Sequence, residues 1–370
     1  MTLIKKIGFL TSSRADYGIS TPLIRALNID KRFDLTVIAF GMHLEKKFGF
    51  TINEIKSDKS LNIKEIKYMP QGHKPKNISS GQAKVMIEFA KFWSENSFDT
   101  VIAIGDRFEM FAAVQSSVPF EVKLIHIHGG ETSLGSIDNI YRDQISIASS
   151  IHFTSNAFHS LKVQKLSGKK EMIFDIGSLS LHELDKLKIP KWSDVCKKFN
   201  IINKPFVLVT FHPETIDAQN NHSHINVIKT VLTEICSKVN LVITLSNADT
   251  YGNLYNKLMN ELSSNNPDNI FLVDSFGKLN YFSALKSCQL VLGNSSSGLI
   301  EAASFNKYTL NVGNRQLGRV RNKNVIDVKF DSSKILQKLN QLLIDNFYSG
   351  DNIYSTKMNL KDINNIIYEF

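Results

Sequence analysis

Short apolar segments recur along the chain and alternate with segments that place apolar residues on one helical face. In the first half, the apolar segments predict strands at Ile4–Leu10, Phe33–Phe40, Thr100–Ile104, Lys123–Ile127, Ile151–Thr154 and Ile173–Ile176. The amphipathic segments predict helices near Thr21–Leu27, Gly81–Glu95, Phe108–Ser117 and Asn139–Ser149. Continuous apolar strands that alternate with helices are typical of parallel sheets buried on both faces.

The alternation stops in a charged, Asn- and Lys-rich stretch between Pro190 and Pro205, and then resumes. Strands are predicted at Phe206–Phe211, Leu241–Leu245, Ile270–Val273, Leu290–Leu292, Tyr308–Val312 and Val325–Val328, with helices near His224–Lys238, Lys278–Ser287 and Ser297–Ala303. The two arrays predict an α/β protein of two doubly wound Rossmann-type domains that face each other across a cleft. We place the domains at 1–180 and 181–358, followed by a C-terminal helix at 359–370 that could pack back on the first domain.

The chain has 370 residues and a formal net charge of +9. Its short basic clusters are scattered, so a lysine-rich solvated surface is favoured over a nucleic-acid site. No apolar run is long enough to span a bilayer, and the N-terminal residues do not have the layout of a signal peptide. Three widely spaced cysteines, Cys196, Cys236 and Cys288, favour free thiols in a reducing cytoplasm and argue against a cysteine metal site.

Titratable residues follow successive predicted strands of the first domain. His43 follows the second strand, Asp106 the next, and His128 and Glu131 the one after that, with Asp138 and Arg142 close behind. Because the carboxyl ends of parallel strands share one edge, we expect these groups to form an acid–base site. A divalent-metal site is the alternative, but no His-x-x-x-His or Glu-x-x-His pair supports it.

A turn rich in hydroxyl groups, Thr11–Gly18, follows the first strand and contains Arg14. Free N–H groups and a guanidinium at a helix start suit a phosphate or a nucleotide base. An ordinary N-capped turn explains the same residues. Glycine-rich dinucleotide and Walker loops are absent, which disfavours those two classes of enzyme.

The second domain predicts a phosphate-binding turn. Gly293, Asn294, Ser295, Ser296, Ser297 and Gly298 lie between a strand and a helix. Donors at a helix start suit phosphate, and Glu301, one turn later, suits a ribose diol. His212 follows the first strand of this domain, Ser246 and Asn247 follow the next, and Arg315 and Arg319 add positive charge. We therefore expect the second domain to hold a phosphate-rich ligand whose reactive end faces the acid–base cluster.

Ordered blocks through nearly the whole chain resemble the UDP-N-acetylglucosamine 2-epimerase superfamily, which has the two-domain GT-B architecture. The resemblance includes Ser13-Arg14-Ala15-Asp16-Tyr17-Gly18, Gly41-Met42-His43, Gly105-Asp106-Arg107-Phe108-Glu109, His126-Ile127-His128-Gly129-Gly130-Glu131, Ile176-Gly177-Ser178-Leu179, Phe211-His212-Pro213-Glu214-Thr215, Ser246-Asn247-Ala248-Asp249, Gly293 to Glu301 and Arg315-Gln316-x-Gly318-Arg319. The block around His128 is similar to the hydrolysing branch, which supplies N-acetylmannosamine for sialic acid synthesis; non-hydrolysing relatives typically have a Glu-Ala-Gly-Leu-Arg-like block there.

The resemblance implies residue roles and a reaction. Asp106, His128, Glu131 and Asp138 would serve acid–base catalysis, and Arg14, His212, Ser295, Ser296 and Glu301 would hold UDP. A base would remove the proton at C2 of the sugar while UDP leaves from C1, and water would then add to the glycal-like intermediate. No cofactor or metal is implied; the expected ligand is a sugar nucleotide, and relatives suggest a homodimer. Independently of the resemblance, the polar composition of Met69–Gly81 predicts a long loop, which is a candidate lid.

Two positions depart from the family. Some hydrolysing members have Glu at the position of His128, so the acid–base group is either His128 or is shared with Glu131. Many relatives have His at the position of Asp143. The alternatives are a hydrolysing 2-epimerase of a 2,4-diacetamido-2,4,6-trideoxyhexose nucleotide, a non-hydrolysing epimerase, a GT-B glycosyltransferase, or a non-catalytic polyanion-binding protein.

Overall fold

The computed structural model describes residues 3–46, 49–68, 74–134, 136–168, 171–214, 218–245 and 252–370. The chain divides into two compact units. The first unit comprises Met1–Thr132, Ser136–Glu183 and Tyr354–Phe370, and the second comprises Ser133–Gly135 and Leu184–Ile353. Each unit is an α/β structure built on its own parallel sheet.

Seven parallel strands form the sheet of the first unit over the described residues, in the order β3-β2-β1-β4-β5-β6-β7. These strands are β1 (Lys5–Thr11), β2 (Phe33–Phe40), β3 (Asn62–Ile66), β4 (Thr100–Ile104), β5 (Leu124–Ile127), β6 (Ile151–Thr154) and β7 (Ile173–Asp175). The helices are α1 (Arg14–Ile29), α2 (Ile52–Ser57), α3 (Pro75–Glu95), α4 (Phe108–Ser117), α5 (Asp138–Ala148) and α6 (Ala157–Ser167). Every residue of β4, β5 and β6 is buried, as expected for central strands covered on both faces.

The second unit has six parallel strands among its described residues, in the order β10-β9-β8-β11-β12-β13. They are β8 (Phe206–Thr210), β9 (Asn240–Thr244), β10 (Ile270–Val273), β11 (Val291–Gly293), β12 (Thr309–Val312) and β13 (Val325–Val328). The helices are α7 (Trp192–Phe199), α8 (Asn221–Ile235), α9 (Gly252–Asn265), α10 (Lys278–Ser287), α11 (Ser296–Ile300) and α12 (Ser332–Ile344). Because the strands within each unit are parallel, the turns that follow them lie at the carboxyl edge of that unit's own sheet.

The last helix, α13 (Leu360–Glu369), belongs to the first unit. Its apolar residues Ile363 and Ile367 are buried in the core of that unit. Asn364 donates to the carbonyl of Ala26 at 3.1 Å, so α13 is hydrogen-bonded to the end of α1. Residues from the two ends of the chain therefore build one unit.

The predicted strands are all present, with ends within one residue of prediction, and the predicted fold class is confirmed. The prediction of a continuous loop at Met69–Gly81 is wrong from residue 75 onward, because Pro75 starts α3, where its fixed φ and missing N–H are tolerated. Residues 69–73 lie outside the described residues. Helix α1 starts at Arg14 and not near Thr21, because Ser13 caps it. Helix α7 occupies part of the stretch between Pro190 and Pro205.

Within the described ranges, no helix is both long enough and apolar enough to cross a membrane. The three cysteines are free and buried.

Candidate active site

The turn after β5 has a backbone that side chains rarely adopt. His128 has a φ of 64° and Gly130 a φ of 80°. A Cβ atom on Gly130 would collide with the carbonyl oxygen of His159, so the turn lies directly against the first turn of α6. Glycine is required at this position, and the close approach brings Glu131 next to the end of β6.

Arg142, on α5, binds three of the residues predicted for acid–base work. Its guanidinium forms an ion pair with Asp106, donates to the carbonyl of His128 at 2.7 Å, and lies 3.4 Å from the Glu131 carboxylate. Burial opposes the charge of Arg142, but the negative charges of Asp106 and Glu131 outweigh it and raise its pKa. Arg142 therefore stays a cation that holds two carboxylates at the end of the first sheet.

Glu131 is buried and touches three different elements. One carboxylate oxygen faces Arg142, and the other lies 3.6 Å from His128 Nδ1 and accepts from Ser155 Oγ at 3.0 Å. Ser155 Oγ in turn lies 2.9 Å from Nδ1 of His159. Glu131 lies beside His128 as predicted, whereas His159, which lies on α6, was not predicted to take part in the site.

Asp138 is the first residue of α5. Its carboxylate accepts from Ser136 Oγ at 2.9 Å. Burial and the nearby charge of Asp106 raise the pKa of Asp138, so it holds its proton more strongly than an ordinary aspartate does. A raised pKa of this kind suits a group that exchanges protons with a ligand.

A second group of carboxylates was missed as a cluster by sequence reasoning. Asp16, in the first turn of α1, accepts from Ser12 Oγ at 2.8 Å. Arg107, after β4, lies 2.5 Å from the fully buried carboxylate of Glu109. Burial raises the pKa of both Asp16 and Glu109, and the charge of Arg107 opposes that rise. Strands β1 and β4 are neighbours in the sheet but not in sequence, so only the strand order brings these residues together.

His43 and His126 are both fully buried among polar groups. His43 lies between the hydroxyls of Thr11 and Thr51, at 2.9 and 2.8 Å, and burial lowers its pKa to about 4. Burial also lowers the pKa of His126 to about 3, and its Nε2 lies 2.8 Å from the carbonyl of Gly105. Both rings are neutral near pH 7. His43 is hydrogen-bonded at the end of β1, and His126 is hydrogen-bonded to the residue that follows β4. Arg14, predicted to hold the ligand, is exposed at the start of α1.

Arg142 with Asp106, His128 and Glu131 forms a group that we call the Arg142 cluster. Asp143 follows Arg142 on α5, but its ion pair is with a lysine on another helix. Its carboxylate lies 3.4 Å from Lys162 on α6, and Lys162 also donates to Thr132 Oγ1 at 2.9 Å. The charge of Asp143 is therefore matched by a cation, and this residue does not join the ion pairs of Asp106 and Glu131.

In the second unit, Asn294 joins two strand ends. Its fully buried side chain accepts from the His212 N–H at 2.7 Å and donates to the His212 carbonyl at 2.8 Å. Burial and the charge of Arg315 lower the pKa of His212 to about 3, so its ring is neutral near pH 7. Asn294 thus fixes the backbone at His212, and the carbonyl of Asn294 accepts from Arg315 at 3.1 Å.

The serine-rich turn after β11 ends in a chain of hydroxyl groups. Gly293 is the last residue of β11, Ser295 caps α11, and Ser296 is the first residue of that helix. Tyr281 donates to Ser297 Oγ at 2.8 Å, and Ser297 donates to Glu301 at 2.6 Å. A Cβ on Gly298 would lie 2.5 Å from Cγ2 of Thr309, so α11 lies tightly against β12.

The loop after β12 carries the two predicted arginines. The buried carboxylate of Glu214 accepts from the backbone N–H groups of Asn314, at 2.6 Å, and Arg315, at 3.1 Å. Arg319 donates to Ser133 Oγ at 3.2 Å, within the second unit. Ser246 and Asn247, also predicted to contact the ligand, lie outside the described residues.

Across the described part of the chain, no three His, Cys, Asp or Glu side chains are grouped to hold a metal ion. What the first unit offers is a set of buried carboxylates and imidazoles around arginines, which suits proton transfer. What the second unit offers is a glycine- and serine-rich helix start with hydroxyl and arginine groups, which suits a phosphate ligand. Fold and residues together define an α/β protein with the two Rossmann-like units of a GT-B-like fold.

A family model described as UDP-N-acetylglucosamine 2-epimerase matches residues 25–367. The chain belongs to the UDP-N-acetylglucosamine 2-epimerase family and is an enzyme of that family. It is 32% identical over 338 residues to the polysialic acid biosynthesis protein P7 of Escherichia coli, covering 91% of this chain and 86% of that protein. It is 30% identical over 339 residues to the GDP/UDP-N,N'-diacetylbacillosamine 2-epimerase (hydrolyzing) of Campylobacter jejuni, covering 90% and 87%.

Solved structures share the fold. The structure of UDP-GlcNAc 2-epimerase from Neisseria meningitidis bound to UDP-GlcNAc superimposes with a TM-score of 0.79 at 17% identity, covering 99% of this chain and 100% of that one. The same two-unit architecture is thus present in a sugar-nucleotide epimerase.

Proposed function

We propose that the protein is a hydrolysing UDP-N-acetylglucosamine 2-epimerase, which converts UDP-GlcNAc and water to N-acetylmannosamine and UDP. The observation that carries the proposal is the Arg142 cluster, in which Asp106 and Glu131 are held together with His128 beside them. A reaction that breaks and remakes a C–H bond at C2 needs acid and base groups on both faces of the sugar. The cluster supplies such groups within one set of ion pairs.

The reaction has two stages. In the first, a carboxylate such as Asp106 takes the C2 proton, the electron pair forms the C1–C2 double bond, and the C1–O bond to UDP breaks. In the second, water adds its hydroxyl at C1 and a proton returns to C2 from the opposite face. We assign the second proton transfer to Asp138, whose pKa is raised by burial and by the charge of Asp106. The products are free UDP and a free sugar of inverted configuration at C2.

The second unit is assigned to the nucleotide. Ser295 and Ser296 lie at the start of α11, where N–H groups favour a phosphate. Glu301 accepts hydrogen bonds and suits the ribose diol, and Arg315 and Arg319 suit the diphosphate. Arginines held by Asn294 and by Ser133 would stabilise the charge that grows on departing UDP. An epimerase structure that shares this fold is bound to UDP-GlcNAc, which supports a sugar nucleotide as the ligand of this chain.

A second substrate follows from the Campylobacter relative, which is named for diacetylbacillosamine. The second candidate is the same hydrolytic epimerisation of a UDP- or GDP-linked 2,4-diacetamido-2,4,6-trideoxyhexose. The two substrates differ at C4 and C6 of the sugar, so the chemistry at C1 and C2 is common to both. The Escherichia coli relative is named for polysialic acid biosynthesis, which supports a place in sialic acid synthesis for the first candidate.

Product analysis tests the proposal. The purified protein is incubated separately with UDP-GlcNAc and UDP-diacetylbacillosamine in deuterium oxide, and the products are followed by NMR. We expect free N-acetylmannosamine with deuterium at C2, together with UDP. A UDP-linked epimer would replace hydrolysis with simple epimerisation, turnover of the second substrate alone would select the second candidate, and a product without deuterium at C2 would contradict the elimination mechanism.

A further inference from the structure

A buried serine connects Glu131 to His159. Ser155 Oγ lies 3.0 Å from Glu131 Oε1 and 2.9 Å from His159 Nδ1. All three side chains are buried, with exposed fractions of 8% for Glu131, 1% for Ser155 and 4% for His159. A hydroxyl shared by a carboxylate and an imidazole in a site of this kind calls for a chemical account.

The direction of each hydrogen bond among Glu131, Ser155 and His159 follows from the protons that each group carries. An ionised carboxylate only accepts hydrogen bonds, so the single hydroxyl proton of Ser155 must point at Glu131. The oxygen of Ser155 then accepts from His159, which places a proton on Nδ1 of that ring. The His159 N–H therefore donates to the Ser155 hydroxyl, and this hydroxyl donates to the Glu131 carboxylate.

The backbone holds the three residues in this arrangement. Ser155 and Asn156 follow β6, and Asn156 caps α6 by accepting from the His159 N–H at 3.0 Å. The close packing of Gly130 on the His159 carbonyl fixes the turn that carries Glu131. The geometry belongs to the junction of β6 and α6 and does not depend on long mobile side chains.

Several charged groups lie near Glu131, Ser155 and His159. On the side of Glu131 these are Arg142 and His128, with Asp106 beyond the guanidinium. Lys162 and Asp143 form an ion pair on the neighbouring faces of α6 and α5. The ring of His159 lies 6.1 Å from the ring of Tyr354, centroid to centroid.

We propose that Ser155 and His159 are positioning residues for Glu131, which fix the orientation of its carboxylate and favour its charged form. This inference rests on the proposed function, because Glu131 is taken as an acid–base group of that reaction. It adds two residues that act through Glu131 and are not themselves assigned a contact with the sugar. Their effect is exerted through one carboxylate oxygen.

Removing the hydroxyl has a defined consequence. A hydrogen bond to the charged form of a carboxylate lowers its pKa, so Ser155→Ala raises the pKa of Glu131. The limb of the kcat/KM profile that reports Glu131 then moves to higher pH by about one pH unit. The acidic limb moves if Glu131 works as a base, and the basic limb moves if it works as an acid.

The experiment compares five proteins with the substrate that the wild type turns over. They are the wild type, Ser155→Ala, Ser155→Thr, His159→Leu and Ser160→Ala. Ser155→Thr restores a hydroxyl at the same position, and Ser160→Ala removes a hydroxyl on α6 that bonds to Thr154. For each, kcat/KM is measured against pH, and UDP affinity and the midpoint of thermal unfolding report whether the chain is folded.

The inference is supported if Ser155→Ala and His159→Leu shift the profile while Ser155→Thr and Ser160→Ala keep that of the wild type. It is overturned if Ser155→Ala loses turnover equally at every pH or keeps an unshifted profile. If Ser155→Ala fails to fold, His159→Leu decides, since it leaves the serine in place. A wild type that turns over no sugar nucleotide would instead remove the proposed function.

An independent measurement concerns the proton itself. In protein labelled with ¹⁵N-histidine, the His159 signal is assigned by its loss in His159→Leu. The inference requires a protonated Nδ1 that exchanges slowly. A neutral ring protonated only at Nε2 would instead accept a hydrogen bond from Ser155 at Nδ1. The Ser155 proton would then not point at Glu131, which contradicts the proposal.

Discussion

Glu131 in the first unit and Glu301 in the second are both held by a serine hydroxyl that is itself bound by a ring. Glu131 accepts from Ser155 next to His159, and Glu301 accepts from Ser297, which accepts from Tyr281. The surroundings differ, because Glu131 also faces Arg142 and His128. Burial and the charge of Glu301 raise the pKa of Tyr281, so that phenol remains a neutral donor. A similar hydrogen-bonding arrangement thus lies beside an arginine and a histidine in one unit and beside a neutral phenol in the other.

The histidines repeat this difference. His128 lies beside a carboxylate in the first unit, whereas His212 in the second lies near Arg315 and is neutral near pH 7. A cation beside an imidazole suppresses its protonation, and a carboxylate favours it. His128 therefore has a carboxylate partner with which it can share a proton, whereas His212 is a fixed neutral group.

The largest effect is expected from Asp106→Asn. Loss of one positioned acid–base group lowers kcat by roughly 10²-fold or more. UDP affinity, assigned to the second unit, stays near that of the wild type, as measured by calorimetry. Equal losses in kcat and UDP affinity would remove the contrast between the units, and an unchanged kcat would move the base to another residue.

Next in size is Gly130→Ala. The new Cβ meets the His159 carbonyl at a φ of 80°, so the free energy of unfolding falls by roughly 2 kcal/mol or more. Gly18→Ala is the matched control, because nothing lies within 4 Å of its added Cβ inside α1. Urea denaturation measures both variants. Equal stability of the two would mean that the turn before Glu131 is not rigid.

A pH effect follows from His212, whose folded-state pKa of about 3 lies below its ordinary 6.5. Below pH 6.5 the unfolded chain binds a proton that the folded chain does not, so stability is lost as pH falls from 6.5 toward 3. At pH 5 this loss is roughly 2 kcal/mol for one residue. We expect His212→Asn to remove that part of the slope, as urea unfolding at several pH values would reveal.

The control is His222→Asn, which alters an exposed residue in α8. It should leave the slope unchanged. If His212→Asn also leaves the slope unchanged, His212 is protonated in the folded chain, and its ring is not the neutral group described above.

A smaller effect is expected from Tyr281→Phe. Loss of one neutral hydrogen bond to Ser297 weakens UDP binding about threefold to tenfold by loosening Glu301. The loss should be smaller with 2′-deoxy-UDP, because that ligand offers Glu301 only one of the two hydroxyls of the ribose diol. An equal loss with both ligands would show that Tyr281 acts elsewhere than through the ribose.

The smallest effect belongs to Asp143→Asn. The ion pair with Lys162 is partly exposed, and such pairs contribute less than about 1 kcal/mol to stability. We expect kcat to stay within about twofold, because Asp143 lies outside the Arg142 cluster. A large loss of kcat would place this departure from the family inside the catalytic group.

The central strands could be predicted from sequence, because β4 is a run of apolar residues after Thr100 and β5 is apolar except for His126. Strand β3 was missed because it lies at the sheet edge, where Lys64 and Glu65 interrupt the apolar pattern. Helix α6 was missed because its apolar and polar residues do not separate onto two faces, and Phe158 and Leu161 are exposed.

The site was predictable where it follows strand ends. Asp106, His128 and Glu131 come directly after strands, so a single rule about parallel sheets groups them. His159 enters from a helix and reaches Glu131 only through Ser155, and no spacing in the sequence signals such a contact. The strand order likewise determines that Asp16 and Arg107 are neighbours.

The attachment of α13 to α1 has a consequence for the order of folding during synthesis. The ribosome makes the second unit in full before Asn364 and Ile367 exist, so α1 waits with part of its packing surface unfilled. The unit made first is therefore completed last. A nascent chain stalled before Leu360 would contain every strand of both sheets but would lack the helix α13 that packs on α1.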